Sequence, residues 1–362
     1  CPLCSLCPLC SLCPPFSINS YFAPGTPMNS IFAFNKSTRR WDLPIAAGLA
    51  VGIPLMIGWS LGDLNAGKNA SLAGLSILYI QSDRLAERMI LLMACCFGLM
   101  FCYTVGLFFS FNRMLAPFAL GLLSFGIHYS LHKLNLTKPP GNFFFIMLAS
   151  TAICMPADME KIPQRIGYLA MGTMLTCAIA LVYSLLTLKP NATNPAPTIN
   201  KDTRTNLNES LIFGFFMFIS LGLAFMLPFK NPYWIPITCL AVMQGSSSQH
   251  ARTRGIQRVV GTIIGLGLTW LIAYAHPGPL AIVISITLLQ IIIKFLVVRN
   301  YVVATVFITV LTIFLAESGG DLAANTDAIF LARLADIMIG SVLGIIGGWV
   351  LHHEKFKTTT AE

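Results

Sequence analysis

The chain reads as a series of apolar runs of about 20 residues separated by short polar punctuation, the length a helix needs to cross a bilayer. Allowing shorter runs where Gly or Pro interrupts, the pattern predicts twelve helices. They begin near Leu43, Asn69, Met89, Met114, Asn142, Gln164, Ser210, Pro232, Ile256, Pro279, Asn300 and Ala328. The expected fold class is all-α and integral to the membrane. Two predicted helices, Leu72 to Gln81 and Tyr233 to Gln244, are shorter than a full span, and Asn142 to Met155 is stopped by Pro156. Paired short or interrupted helices at matching positions are a pointer to a transport site, because their ends present unsatisfied backbone groups.

The positions do match, because the sequence repeats at long range. "DRLAERM" aligns with "RTRGIQRV", so that Arg84 pairs with Arg254 and Arg88 with Arg258, each 170 positions on. Upstream, "LSILYIQ" ending at Gln81 matches "ITCLAVMQ" ending at Gln244. Downstream, the alignment pairs Arg165 with Arg333. The organisation expected is a tail over 1–40, a six-helix membrane repeat over 41–187, a polar Pro-rich cytoplasmic linker over 188–206, a second six-helix repeat over 207–352 and a tail over 353–362. Six is even, so the two repeats are parallel, a construction found among transporters.

Composition agrees: 56% of residues are hydrophobic and 10% charged, with a mean hydropathy of +0.74, which leaves no room for a sizeable soluble domain. With the N-terminus inside, all but six of the 23 Lys and Arg fall on the inside; Lys68, Arg113, Lys161, Arg165, Lys230 and Arg333 are outside. This is the positive-inside bias, and it puts both termini in the cytoplasm. The formal net charge of +9 is then a property of the inside face, suited to anionic lipids and not to nucleic acid. Cys95, Cys96, Cys102, Cys154, Cys177 and Cys239 lie inside apolar runs as small packing residues. The other five form "CPLCSLCPLCSLC". Its spacing is not that of a ferredoxin cluster, so residues 1–27 are read as untranslated, misassigned or disordered text and not as a metal site.

The arginines carry the candidate chemistry. At 100° per residue, Arg254, Arg258, Gly261 and Gly265 fall within about a sixth of a helix circumference, so the charge shares a face with a small-residue packing stripe. The spacing recurs: Arg88 precedes Cys95, Arg165 precedes Gly172, Arg258 precedes Gly265 and Arg333 precedes Gly340, each by seven. Arg84 and Arg252 also fit plain inside anchors. Arg165 and Arg333 stand where cations are scarce, so interior placement or a partner is expected. Asp336, three residues after Arg333, can form an i,i+3 ion pair with it or serve as a protonatable coupling site; the residues leave both open. Tyr233 and Trp234 offer an aromatic surface beside the short helix. His128 and His132 have i,i+4 spacing but fit an interfacial belt better than a metal site. "GTIIGLG" and "GSVLGIIGG" follow no strand and read as packing stripes, so neither a cofactor nor enzymatic chemistry is expected.

The stretches "NPYWIPITCLAVMQGSSSQHARTRGIQRVVGTIIGLGL", "RNYVVATVFITVLTIFLAE" and "LARLADIMIGSVLGIIGGWVLH" resemble the membrane domain of the fusaric acid resistance family, which includes aromatic acid exporters of bacterial inner membranes. The resemblance covers residues 210–352 well and, through the repeat, 41–187 more weakly. It implies efflux of aromatic carboxylates driven by the proton gradient. The family is similar in fold to plant aluminium-activated malate transporters, whose two six-helix units surround a basic anion path, and this nominates Arg254 and Arg258, with Arg84 and Arg88 by repeat. Gln81, Gln244, Tyr233 and Trp234 complete the substrate candidates, and Asp336, Arg333 and Arg165 the coupling or ion-pair candidates. The partners expected are a small organic anion, anionic lipids, and a second copy of the chain or a periplasmic adaptor. A passive organic-anion channel and a non-transporting membrane scaffold are the alternatives. Many family members carry a large soluble cytoplasmic region where only the short linker stands here.

Overall fold

The structure, a computed structural model, describes residues 41–80, 82, 84–187, 203–228, 231–317 and 326–353. Among these residues it consists of twelve α-helices and one 3-10 helix, without strands. In chain order they are α1 (Asp42–Ser60), α2 (Leu64–Leu72), the 3-10 helix (Ala73–Tyr79), α3 (Leu85–Phe109), α4 (Ala116–Lys133), α5 (Phe143–Ile153) and α6 (Ile162–Thr187). The second half holds α7 (Thr203–Met226), α8 (Trp234–Met243), α9 (Ser248–Tyr274), α10 (Pro279–Leu296), α11 (Tyr301–Glu317) and α12 (Thr326–Leu351). The cysteine-rich tail, Gln81, linker residues 188–202 and residues 354–362 lie outside the described residues.

The helices start where local chemistry permits. Asp63 accepts from the backbone N–H of Ala66 at 3.0 Å to open α2, and Ser247 accepts from that of His250 at 3.1 Å to open α9. Pro279 supplies a preset first-turn φ for α10. Two starts differ most from the expectation. α9 begins at Ser248 and not near Ile256, because the Ser247 cap carries the helix back through the polar stretch. As a result Arg252, Arg254 and Arg258 all ride on the helix itself. α7 begins at Thr203, so the last residues assigned to the linker are helical.

Among the described residues seven helices, α1, α3, α6, α7, α9, α10 and α12, are long and apolar enough to cross a membrane. The other predicted spans are shorter or more polar: α2 has 9 residues and runs into the seven-residue 3-10 helix, α4 has 18, α5 has 11, α8 has 10 and α11 has 17. At 1.5 Å per residue α8 is about 15 Å long, half of a hydrocarbon core of about 30 Å. Its ends cannot face lipid, since orphan backbone groups there would have no partners. The structure meets that demand by burying every residue from Ile235 to Met243 among α7, α9, α12 and α5.

The halves are wired alike. In the first, α1 packs on α2, the 3-10 helix and α6, while α3 packs on α5 and α6. In the second, α7 packs on α8 and α12, while α9 packs on α11 and α12. Between them α4 lies along α7 and α10 lies along α1. Glycine sets the closest approaches. A Cβ at Gly340 of α12 would sit 2.7 Å from the Ile235 carbonyl oxygen and 2.6 Å from Thr238 Cβ, both on α8. Gly172 of α6 meets the Ala70 carbonyl of α2 in the same manner.

Candidate functional site

Around α8 the second half gathers basic and aromatic side chains that are far apart in sequence. Arg258 is buried, and its Nε donates to Thr238 Oγ1 of α8 at 3.4 Å. Its Nη1 donates to the Tyr301 hydroxyl, at the start of α11, at 3.2 Å. One turn earlier on α9, the half-buried Arg254 lies over the Tyr301 ring, 5.0 Å from its centroid. Tyr301 thus accepts from one arginine and presents its π face to the next.

Arg333 approaches α8 from α12. Its guanidinium carbon lies 3.3 Å from the Trp234 ring centroid, and Nη2 donates to Thr312 Oγ1 of α11 at 3.2 Å. Tyr233 packs tilted against Trp234, with centroids 4.9 Å apart. Arg333 is 5% exposed and Asp336 1%. The two do not form an ion pair within 4.0 Å, unlike Arg84–Glu87 at 3.5 Å, His132–Glu209 at 3.7 Å and Lys161–Asp158 at 2.8 Å. Arg333 Nε and Nη1 and Asp336 Oδ1 are buried and have no hydrogen-bond partner in the protein.

The remaining candidates lie elsewhere. Arg88 is buried at the start of α3, where Nε donates to the Ser82 carbonyl and Nη1 to Thr187 Oγ1 at 2.9 Å, with the Tyr183 ring 6.0 Å away. Arg84, at the N-cap of α3, is 55% exposed. Arg165 donates to the Pro156 carbonyl at 3.0 Å. Gln244 reaches across to the other half, donating to Asn142 Oδ1 at 3.0 Å beside the loop whose Gly141 carbonyl takes the Tyr79 hydroxyl at 2.7 Å. His128 stacks on His132 and Phe213 and bonds Ser210 at 3.2 Å where α4 meets α7. So Arg258, Arg333, Tyr233 and Trp234 come together at α8, Arg254 joins them through the Tyr301 ring, and Asp336 lies on α12 three residues from Arg333; every partner named for them belongs to the second half.

Three contributors went unnoticed in the sequence: Tyr301, Thr238 and Thr312. The signal for Tyr301 was its place directly after Arg299-Asn300, an interruption between apolar runs that only a tertiary contact turns into a site. Tyr301→Phe keeps the ring under Arg254 and removes the Arg258 acceptor. A hydrogen bond to a charged group is worth about 1.5–3 kcal/mol. The variant is expected to melt several degrees below wild type in detergent; an unchanged midpoint would mean that the Arg258–Tyr301 bond contributes nothing.

Comparison with known proteins bears on this same half. Residues 218–347 match the family described as fusaric acid resistance protein-like. The matched region takes in all of α8, α9, α10 and α11 and most of α12, and so the whole cluster. Over 154 residues the chain is 36% identical to the uncharacterized membrane protein YvaC of Bacillus subtilis (strain 168). That stretch is 42% of this chain and 24% of YvaC, so the chain spans about a quarter of its curated relative. No solved structure matches the chain at a significant level. The chain thus carries a region similar to that family, and seven helices among its described residues are long and apolar enough to cross a membrane.

Proposed function

We propose that the chain is a secondary transporter that exports small organic anions, aromatic carboxylates among them, across a bacterial inner membrane at the expense of the proton gradient. One observation carries the reading: two buried arginines, Arg258 and Arg333, flank a ten-residue helix that is too short to span. A central Arg costs about 2.5–3.5 kcal/mol on insertion scales, so two such residues are retained against a standing penalty. Charge-assisted hydrogen bonds to a carboxylate offset it. Trp234, Tyr233 and Tyr301 give the aromatic surface that such a substrate would use, and Asp336 is the carboxyl group placed to exchange a proton. The matched family's description, fusaric acid resistance, names an aromatic acid and supports the substrate class.

The architecture proposed with it is two parallel six-helix repeats with both termini in the cytoplasm. The matching helix neighbours of the two halves and the matching glycine approaches of α6 on α2 and α12 on α8 support that arrangement. The test is accumulation of labelled benzoate in cells lacking other exporters, with wild type and Arg258→Gln, each with and without an uncoupler. Export predicts low accumulation in wild type alone, restored by either change. Current that persists with the uncoupler would indicate a passive channel, and identical accumulation in all four conditions would leave a scaffold.

A further inference from the structure

The buried charges of the described residues are few: Arg88 in the first half, and Arg258, Arg333 and Asp336 around α8. Arg88 has its own partners, the Ser82 carbonyl and Thr187 Oγ1, at the start of α3. Arg258 meets α8 at Thr238 and Arg333 meets it at Trp234, one turn earlier on that helix, while Asp336 stands three residues from Arg333 on α12. Arg254 is partly exposed, so water and counterions screen it. With Asp336 deprotonated, the state the export cycle reaches once its proton has left, the buried set carries one positive charge in excess.

Most of the unpartnered polar atoms fall on the two helices that carry these charges. Seven buried side-chain atoms among the described residues have no hydrogen-bond partner, and five of them, Thr262 Oγ1, Arg333 Nε and Nη1, Asp336 Oδ1 and Ser341 Oγ, are on α9 and α12. Those two helices pack on each other and both touch α8. Native interiors leave such atoms unpaired rarely, and a ligand that pairs them is one explanation. Arg333, nineteen-twentieths buried with two of its three nitrogens unpaired, is the strongest single donor on offer.

We infer that this site takes an anion of a single negative charge, held by Arg333, and that Asp336 sets the limit. The inference rests on the export reading above and narrows it. A monocarboxylate brings the buried charge to zero. A dicarboxylate overshoots and leaves an uncompensated negative charge away from water, an arrangement that disfavours binding. Asp336 is therefore a specificity-determining residue: removing its charge while keeping its shape raises the excess to two and makes the dianion the better match. Arg333 contacts the carboxylate, whereas Arg258, already engaged by Thr238 and Tyr301, supplies field.

The probes are terephthalate and its monoamide, which share size and shape and differ by one charge. Binding to the purified full-length chain in detergent at pH 8 is measured by calorimetry. Wild type is expected to bind the monoamide at least about tenfold more tightly than terephthalate. Asp336→Asn is expected to invert that order, and Arg333→Gln to lose both ligands. Equal binding of the two by wild type, a comparison that needs no variant, overturns the charge count while leaving anion export standing. So does an Asp336→Asn chain that binds with the wild-type ratio. Loss of binding in Arg258→Gln with retention in Arg333→Gln overturns the assignment of the contact to Arg333. If neither ligand binds, the functional reading falls and this inference with it.

Discussion

Gly340→Val is expected to separate α12 from α8 and cost most of the folded protein. The new Cβ would lie 2.7 Å from the Ile235 carbonyl oxygen and 2.6 Å from Thr238 Cβ, inside van der Waals contact, and a backbone carbonyl cannot swing aside as a long side chain can. Overpacking of this kind costs about 1–3 kcal/mol when neighbours can shift, and here the neighbour is a buried helix. The consequence reaches the site, because Thr238 also accepts from Arg258 and α12 carries Arg333 and Asp336. Gly267→Val on α9 is the control: nothing lies within 4 Å of the position a Cβ would take, so that variant should extract and melt like wild type. The measurement is the monodisperse fraction after detergent extraction together with the melting midpoint. Two variants that behave alike would remove the close-packing account of the α8–α12 contact.

Hydrophobic runs made the helices legible, because a bilayer leaves the backbone few other solutions. The boundaries were harder to read. The stretch Ser248 to Arg254 has no apolar period, yet it is helix, since one serine cap and the continuing ladder of α9 outweigh the missing amphipathic signal. The pairing of short segments was visible from their length and from Pro232 and Pro236. That the first of them is a 3-10 helix fused to α2 and packed against α1 and α6 was not, because it involves contacts with segments distant in sequence. At the site, the arginine spacing pointed to a packed face. Which arginine meets which ring is a tertiary fact. Arg333 and Asp336 share a helix face, but the guanidinium turns to Trp234 instead of pairing with its neighbour, and no local spacing predicts that direction. Gln244, named as a substrate candidate for its place in the repeat, reaches Asn142 in the other half, a contact between residues 102 apart.

The sequence alignment of the two halves pairs Arg88 with Arg258, and their surroundings predict opposite losses. Arg88 ties the start of α3 to the end of α6 through the Ser82 carbonyl, Thr187 Oγ1 and the Tyr183 ring. Arg88→Ala leaves a carbonyl and a hydroxyl without their charged donor at a helix junction, at about 1.5–3 kcal/mol per bond. It should lower the melting midpoint by many degrees. Transport per folded molecule should stay within about twofold of wild type, a change worth less than 0.5 kcal/mol. Arg258→Gln removes a charge from the α8 cluster but retains a side chain able to bond Thr238 or Tyr301. Its midpoint should move less, while benzoate export per folded molecule should fall at least about tenfold, a loss of about 1.4 kcal/mol in substrate interaction. Normalising flux to the amount of monodisperse protein separates the two effects. Equal loss of normalised flux in both variants would mean that the halves contribute their arginines alike and that the path runs between them; loss confined to Arg258→Gln places the anion at α8, where the unpaired donors of Arg333 are.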